Sequence, residues 1–286
     1  MENTVSGGET LVLPAPAKLN LFLHVTGRRD DGYHLLESVF VPITLADTVT
    51  LTLRDDGEIR LVEPPDGLTT ENDLACRAAR ALQSATGSPR GVDIRLTKRI
   101  PQGGGLGGGS SDAATVLLGL NRLWKLEQPR SVLLAIGATL GADVPFFVFG
   151  QPALATGIGE RLLAVSIPIC DYVVAFPSVG VATGPVFGSP SLRRDTQPIA
   201  QPVFGTNFGH NDLQPVAERI EPKISQLCSD FTAAGLTPRM TGSGACVFAP
   251  TTSTAAAKRA TAQLMARGWQ VWAVRAMARH PLFDLA

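Results

Sequence analysis

The chain has 286 residues, of which 44% are hydrophobic and 17% charged, a composition that excludes a largely disordered protein and leaves room for two ordinary domains. Its 25 basic residues balance its 25 acidic residues, so no overall charge would attract nucleic acid or an anionic membrane. Residues 1–4 show no secretion signal, and no segment reaches the ~18 apolar residues of a membrane span. We therefore expect a cytoplasmic protein that binds neither nucleic acid nor membrane.

The first predicted strand, within residues 11–25, carries a charge in an apolar setting. After Pro16 the side chains alternate, with Lys18, Asn20 and Phe22 on one face and Leu19, Leu21 and Leu23 on the other. Lys18 is either an edge residue that discourages aggregation or a buried charge with a function, and the pattern alone does not separate the two.

Alternating apolar residues predict three more strands in the first third of the chain, at residues 47–53, 59–62 and 92–96. A helix is predicted at residues 72–86, with Asn72 as its N-cap and Gly87 just past its end. The strand at 92–96 leads into a glycine-rich segment and then into a helical pattern. The local order is therefore strand, loop, helix.

The glycine-rich segment has six glycines in the seven positions 103–109. Glycine loses more backbone freedom on folding than other residues, so such a run is expected where the backbone approaches a ligand closely or adopts a positive φ. Amides without side chains form a concavity for an anion, and the N-terminus of the next helix adds its own unsatisfied amides. We therefore predict that this loop binds phosphate.

Three other interpretations of the loop fit the sequence less well. No lysine follows the last glycine, which argues against a P-loop nucleotidase. Gly103, Gly105 and Gly108 match the dinucleotide-binding pattern, but the acidic residue expected about 20 positions further on, at the end of a second strand, is absent. Glu127 instead lies between two helical patterns. A flexible linker is the remaining alternative, although linkers rarely run directly into a periodic apolar helix.

Two helices and a conspicuous carboxylate follow the loop. Helical spacing of apolar residues predicts a helix at about 111–126, and Ser131 is the predicted cap of a second helix at 132–140. Asp143 then stands beside the apolar run 144–149. It either caps the helix that follows or has a functional role.

The second half of the chain also alternates between strands and helices. Strands are predicted at 173–176 and 269–277, helices at 220–234 and 253–267, and a second glycine turn at 241–245 that feeds a strand. The segment 177–201 is rich in Pro, Gly and Ser and is predicted to be a surface loop with some order at 183–187. These patterns predict an α+β fold in two halves that join near residue 165.

Neither the cysteines nor the histidines have the spacing of metal ligands, so we predict no metal site made of these side chains. The four cysteines lie far apart among apolar neighbours and are expected to be buried reduced thiols: Cys76, Cys170, Cys228 and Cys246.

Three segments together resemble the three motifs of the GHMP small-molecule kinases, namely residues 14–20, 101–114 and 241–245. Three further segments resemble the branch of that family that acts on a cytidyl acceptor: residues 31–34, 141–147 and 211–213. The resemblance spans about residues 14–250. Asp112 departs from the pattern because the family more often has Asn there, and residues 189–209 contain no motif that aligns.

The resemblance implies a ribosomal-protein-like N-terminal domain at residues 1–165 and a ferredoxin-like C-terminal domain at residues 166–286, with a cleft between them. It also implies phosphorylation, by ATP and Mg²⁺, of the 2-hydroxyl of a cytidine-diphosphate-linked methylerythritol in the non-mevalonate isoprenoid pathway. We expect a monomer or a weak homodimer. One alternative is another kinase of the family, such as homoserine or mevalonate kinase, and residues 31–34 argue against it. The second is an inactive nucleotide-binding sensor, and the presence of both Lys18 and Asp143 argues against that.

The resemblance also implies roles for individual residues. Asp143 would accept the proton of the acceptor hydroxyl, and Lys18 would stabilise the developing negative charge. Ser110 or Ser111 would lie close to Mg²⁺. The predicted ATP contacts are Pro101, Gln102, Gly103, Gly104, Gly105, Leu106, Gly107, Gly108, Gly109, Ser110 and Ser111.

On the acceptor side, Tyr33 and Phe187 resemble the aromatic pair that stacks on cytosine, while Asn20, His34 and Thr183 resemble the polar contacts. The alternative interpretation of Tyr33 and Phe187 is that they are ordinary packing residues. The alternative for His34 is that it lies at the surface or binds a metal.

Overall fold

The computed structural model describes residues 8–64, 69–199 and 208–285. The segment 1–4, where a secretion signal was sought, and residues 200–207 of the predicted loop region lie outside the described residues. Among the helices that are described, none is long and apolar enough to cross a membrane.

Two long antiparallel strands, β1 (Thr10–Arg28) and β2 (His34–Arg54), form the centre of the N-terminal sheet. The sequence predicted only the second half of β2. Its first half includes a run of consecutive buried residues from Ser38 to Ile43, so it lacks the alternation that marks a half-exposed strand. This part of β2 is covered on both faces, which explains why the pattern did not reveal it.

Four shorter strands complete this six-stranded sheet, in the order β3-β4-β2-β5-β6 with β1 also paired to β2. All pairs are antiparallel except β3 with β4. The bounds are β3 (Ile59–Leu61), β4 (Gly91–Thr97), β5 (Ala153–Thr156) and β6 (Arg161–Ala164).

Helices cover one face of the N-terminal sheet, with α2 packed against β1, β2 and α1. They are α1 (Leu74–Thr86), α2 (Gly108–Leu123), α3 (Arg130–Leu140) and α4 (Val144–Phe149). The predicted helices exist, but two caps differ. Asp73, not Asn72, caps α1 through bonds from the amides of Ala75 and Cys76, and Pro129, not Ser131, precedes α3.

The C-terminal sheet has the strand order β10-β7-β9-β8, and all of its pairs are antiparallel. With three helices described between β7 and β8 and one helix between β9 and β10, it has the ferredoxin-like alternation implied by the resemblance. The strands are β7 (Asp171–Phe176), β8 (Arg239–Met240), β9 (Val247–Thr251) and β10 (Gln270–Arg275).

Helices of the second half are α5 (Thr183–Gly188), α6 (Gln214–Ile220), α7 (Pro222–Ala233) and α8 (Thr254–Met265), followed by a short 3₁₀ helix at Phe283–Leu285. The single helix predicted at 220–234 is wrong at its start, because Glu221 is extended and Pro222 opens a new helix. The order predicted at 183–187 is present as α5.

A buried apolar cluster joins the two sheets. It contains Leu19 of β1, Val41 of β2, Val174 of β7, Phe248 of β9 and Val274 of β10. The chain passes from one sheet to the other between residues 164 and 171. The division at residue 165 stays a prediction, and Leu282 returns to pack in the N-terminal core.

None of the four cysteines forms a disulfide. Cys76 and Cys246 are buried, as expected, whereas Cys170 and Cys228 are half-buried.

Candidate active site

The glycine loop lies between the two halves of the molecule and is held by both. The amide of Lys18 in β1 donates to Leu106 O at 3.0 Å, and the amides of Ala245 and Cys246 donate to the carbonyls of Gly103 and Gly104 at 3.0 and 3.1 Å. The second glycine turn thus pairs with the first. This contact explains how residues 103–104 and 245–246, distant in sequence, meet at one site.

Glycine is required in this loop partly by its protein neighbours. A Cβ on Gly105 would lie 2.2 Å from Thr241 O, and one on Gly107 would lie 3.0 Å from the Phe147 ring. Both residues also have positive φ, of 73° and 72°. Helix α2 begins at Gly108, three residues earlier than predicted. The backbone N–H groups of its first turn have no acceptor within the helix, and they belong to Gly108, Gly109 and Ser110, whose small side chains leave these groups accessible.

The loop forms the wall between two cavities. The Lys18 cavity has a volume of about 380 Å³ and is lined by Lys18 and Asp143. The Lys98 cavity, of about 310 Å³, is lined by Lys98, Leu74 and residues 100–110. Loop residues that line both cavities are Gly103, Gly105, Gly107 and Ser110. A phosphate chain bound along the loop in one cavity would therefore end beside the other.

Lys18 and Asp143 converge in the Lys18 cavity, as predicted. Lys18 Nζ lies 3.5 Å from Asp143 Oδ2. Lys18 is 3% exposed, so it is a buried charge and the edge-residue interpretation is wrong. Asp143 does occupy the N-cap position of α4, but its side chain, which is 34% exposed, makes no cap hydrogen bond and is directed to the Lys18 ammonium instead.

A network of buried polar side chains fixes the Lys18 ammonium. Lys18 Nζ donates to Asn20 Oδ1 at 2.6 Å, and Asn20 Nδ2 donates to Ser38 Oγ at 2.9 Å. The backbone N–H of Asn20 donates to Thr241 Oγ1 at 2.9 Å. The ammonium also lies 5.0 Å from the centroid of the Phe40 ring. Asn20 lines the cavity and its side chain is bonded to Lys18 and Ser38, so its contact with the acceptor stays a prediction.

A bulge in β1 changes the predicted faces of the strand. Lys18 and Asn20 share the cavity face as expected, but the pairing with β2 shifts between Asn20 and Leu23. One extra residue reverses the alternation. Leu23 therefore lines the cavity, whereas the alternation had put it on the opposite face.

The predicted acceptor contacts divide into two groups. His34, Thr183 and Phe187 line the Lys18 cavity, and the His34 and Phe187 rings lie 5.1 Å apart at 38°. Thr183 Oγ1 is 2.8 Å from Ser243 Oγ. Tyr33 is 60% exposed and does not line the cavity. The structure therefore places Tyr33 at the surface beside His34 and leaves its stacking role a prediction.

The two serines of the loop have different environments. Ser110 is half-buried and lines both cavities. Ser111 is fully buried, and its hydroxyl donates to Pro16 O at 2.7 Å. Ser111 thus joins α2 to β1, and Ser110 is the serine positioned to meet a ligand.

A charged cluster that the sequence analysis missed supports both ends of the glycine loop. Lys98 Nζ contacts the carboxylates of Asp47 in β2 and Asp112 in α2. Asp47 Oδ1 also accepts from the amides of Arg99 and Ile100, just before the loop. Because Asp47 and Lys98 lie 51 positions apart, no local pattern connects them.

Burial, reinforced by the Asp47 carboxylate and opposed by Lys98, raises the pKa of Asp112 to about 7. Burial by itself would lower the pKa of Lys98, but the nearby carboxylates of Asp112 and Asp47 have the larger effect, and the pKa of Lys98 is raised. One oxygen of Asp112, Oδ1, is buried and has no hydrogen-bond partner among the described residues. An ionised Asp112 is therefore costly in this position.

Asp112→Asn is expected to stabilise the protein, and more so at high pH. Because the Asp112 pKa is higher in the folded chain, the wild-type protein binds more protons than the unfolded chain between about pH 4 and pH 7, so its stability falls as pH rises through that window. The neutral amide of the variant would not incur this loss. We therefore expect its free energy of unfolding to exceed that of the wild-type protein by about 1–3 kcal/mol at pH 8 and by less at pH 5. Urea unfolding at both pH values measures this difference in the free energy of unfolding.

The control is Asp195→Asn, which changes an exposed carboxylate and should leave stability at its wild-type value. If the stability of Asp112→Asn had the same pH dependence as that of the wild-type protein, the Asp112 carboxylate would not be the cause of the loss.

Two family models match the chain. The model described as the GHMP kinases N terminal domain matches residues 73–151, and the one described as GHMP kinases C terminal matches residues 192–270. Together they include the glycine loop, Asp143 and the second glycine turn.

Relatives cover almost the whole chain. A protein from Thiobacillus denitrificans named 4-diphosphocytidyl-2-C-methyl-D-erythritol kinase is 52% identical over 274 residues, covering 95% of this chain and 97% of the relative. One of the same name from Azoarcus sp. is 47% identical over 272 residues, covering 95% and 96%.

Solved structures share the fold. A crystal structure of 4-(cytidine 5'-diphospho)-2C-methyl-D-erythritol kinase matches with a TM-score of 0.80 and 38% identity, covering 93% of this chain and 99% of that one. A mevalonate kinase matches with a TM-score of 0.69 over 94% and 100% of the chains, and its 12% identity indicates the fold alone.

Proposed function

The chain belongs to the GHMP kinase family, as its motifs predicted, and from this premise we propose that it transfers the γ-phosphate of ATP to the 2-hydroxyl of 4-diphosphocytidyl-2-C-methyl-D-erythritol. The products are the 2-phosphate and ADP, and the reaction belongs to the non-mevalonate isoprenoid pathway. One observation carries the proposal: the Lys18–Asp143 pair, 3.5 Å apart, lies on one side of a glycine loop that opens on its other side to a second cavity.

Each cavity accommodates one substrate. ATP binds in the Lys98 cavity, where residues 101–110 line the wall and backbone amides meet the phosphates. The acceptor binds in the Lys18 cavity, with its cytosine towards His34 and Phe187. Gly107 and Ser110 line both cavities, so the γ-phosphate is transferred across this part of the loop.

The transfer moves one proton and one phosphoryl group. The acceptor hydroxyl gives its proton to the Asp143 carboxylate, and its oxygen forms a bond to the γ-phosphorus. The bond from that phosphorus to the β–γ bridging oxygen breaks, and ADP leaves with the bond's electron pair. Lys18, held by Asn20, stabilises the negative charge on the transferring group.

Mg²⁺ is compatible with the residues of the Lys18 cavity. The described residues contain no group of three or more Cys, His, Asp or Glu side chains able to hold a metal by themselves. Mg²⁺ bound to a nucleotide needs few protein ligands because phosphates and water supply the rest. Ser110, which lines both cavities, offers a hydroxyl oxygen as a donor beside the loop. When bound, the ion would neutralise charge on the phosphates.

A comparison of acceptors tests the proposal. The purified protein is incubated with ATP, Mg²⁺ and the cytidyl methylerythritol, mevalonate or homoserine, and ADP release is measured. We expect ADP only with the cytidyl acceptor, in equal amount to a product phosphorylated at the 2-position as seen by ³¹P NMR. Preference for mevalonate or homoserine would assign another reaction, and no ADP with any acceptor would contradict kinase activity.

Tyr33→Ala is expected to raise KM for the cytidyl acceptor about 5- to 100-fold while KM for ATP changes little. Tyr33 directly precedes His34, which lines the Lys18 cavity, and its exposed ring is free to stack on a bound base, a contact that contributes about 1–3 kcal/mol. Steady-state kinetics with each substrate varied separately measure the two constants. Tyr33→Phe keeps the ring and should behave as wild type, while an equal rise in both KM values would exclude stacking.

A further inference from the structure

The segment 189–199, which carries no recognisable motif, contributes a side chain that joins two residues of the Lys18 cavity. Arg194 Nε donates to His34 Nε2 at 2.9 Å. Its Nη2 donates to Phe187 O at 3.1 Å and to Ser189 O at 2.7 Å, and its Nη1 donates to Leu192 O at 3.0 Å. Of these four hydrogen bonds, one goes to the start of β2, one to α5 and two to the segment after α5, so the guanidinium links these three parts of the chain.

We propose that Arg194 is a positioning residue for the acceptor base, because it holds His34 as a neutral ring in a fixed orientation and anchors the backbone of Phe187 beside it. This inference rests on the proposed function. It assigns Arg194 a role in selecting the acceptor without direct contact to the reacting atoms.

Hydrogen-bond chemistry determines the state of His34. A guanidinium has five N–H donors and no acceptor, so the ring nitrogen that it contacts must accept. Nε2 of His34 therefore carries a lone pair, and the single proton of the neutral imidazole is on Nδ1. His34 then presents one donor, Nδ1–H, which suits recognition of an acceptor atom on a base edge.

The charges around His34 favour the same state. Burial, then the cations Arg194 and Arg28, lower the His34 pKa. Arg194 comes from the 189–199 segment and Arg28 from the end of β1, which are the two packed elements that bring charge to the ring. A ring with a lowered pKa stays neutral to lower pH than a free imidazole, so its binding of the base would depend less on pH.

The anchoring of Phe187 adds a second effect. The Phe187 ring lies 5.1 Å from His34, and its carbonyl is one of the four acceptors of Arg194. Loss of the guanidinium would free both the imidazole and the backbone that carries the phenyl ring. Lysine at this position would supply a point charge with fewer suitably directed donors, so it should restore only part of the function.

The test uses Arg194→Met and Arg194→Lys in the full chain, with Arg193→Met as the matched control. Arg193 is the exposed neighbour and pairs with Asp195 on the surface. We expect Arg194→Met to raise KM for the cytidyl acceptor about 10-fold, with KM for ATP and kcat within about twofold of wild type, and Arg194→Lys to give a smaller rise. Arg193→Met should match wild type.

A pH profile separates this role from a merely structural one. Without the Arg194 cation the His34 pKa should rise towards its ordinary value, so acceptor KM should increase more steeply in Arg194→Met than in the wild-type protein as pH falls from 8 to 6. The variant Arg194→Met/His34→Ala should show less than the combined effect of the single changes. Unchanged acceptor KM, or a pH dependence equal to wild type, in folded Arg194→Met would overturn the inference. Inactivity of the wild-type protein towards the cytidyl acceptor would instead overturn the proposed function.

Discussion

Asp143→Asn is expected to lower kcat by about 10²- to 10⁴-fold, because the amide cannot accept the proton of the acceptor hydroxyl. Binding of ATP should be unchanged, since Asp143 lines the Lys18 cavity and is absent from the lining of the Lys98 cavity. The change is nearly isosteric, and Asp143 makes no cap hydrogen bond to α4, so the fold should be retained. Single-turnover kinetics measure the phosphoryl-transfer step, and calorimetric titration measures nucleotide affinity.

The control for this change is Asp55→Asn, which removes an 81% exposed carboxylate in the turn after β2. It should leave both kcat and ATP affinity at their wild-type values. A kcat for Asp143→Asn within about threefold of wild type would remove Asp143 from the proton transfer. A loss of ATP affinity in parallel with kcat would mean that the carboxylate serves the nucleotide instead.

Lys18→Met is expected to lower kcat by about 10²- to 10³-fold, the cost of removing one pre-oriented donor from a developing negative charge. Methionine keeps the length and apolar stem of the side chain but not the ammonium. The Asn20 and Ser38 side chains that now fix the ammonium would remain in place. ATP affinity should again change little, because Lys18 does not line the Lys98 cavity.

Lys258→Met, on the exposed face of α8, is the matched control and should be fully active. Thermal unfolding of Lys18→Met reports whether the buried site tolerates the change. A folded Lys18→Met protein with near-normal kcat would show that the ammonium does not act in the transition state. Retained kcat with a raised acceptor KM would assign Lys18 to substrate binding alone.

The glycine loop was predictable because its signal is local. Six glycines at the start of a helical pattern predict an anion site from a few consecutive residues, and the structure adds that Gly105 and Gly107 are also needed where Thr241 and Phe147 approach. The GHMP kinase fold was predictable for the same reason, since its motifs are contiguous segments. The first half of β2 was not, because burial on both faces removed the alternation on which strand prediction depends.

The missed contacts of the site share a different property. Asp47 and Lys98 lie 51 positions apart, and His34 and Arg194 lie 160 apart, so their pairing depends on how distant segments pack. The bulge after Asn20 is a similar case, since the register between β1 and β2 decides that Leu23 faces the cavity. Tyr33, by contrast, was assigned to the site by resemblance and lies at the surface in this structure.

The amino-acid sequence by itself determined the chemistry available to this protein: a glycine-rich loop, a lysine in an apolar strand, a carboxylate beside an apolar run and the alternation of helices and strands. These follow from backbone periodicity and from the conformational freedom of glycine, which act over a few residues. Tertiary structure alone decided that Lys18 and Asp143 meet, that Ser110 rather than Ser111 faces the cavities, and that Arg194 holds His34. Such contacts depend on strand register and on the packing of two sheets against one another, and no local pattern encodes either.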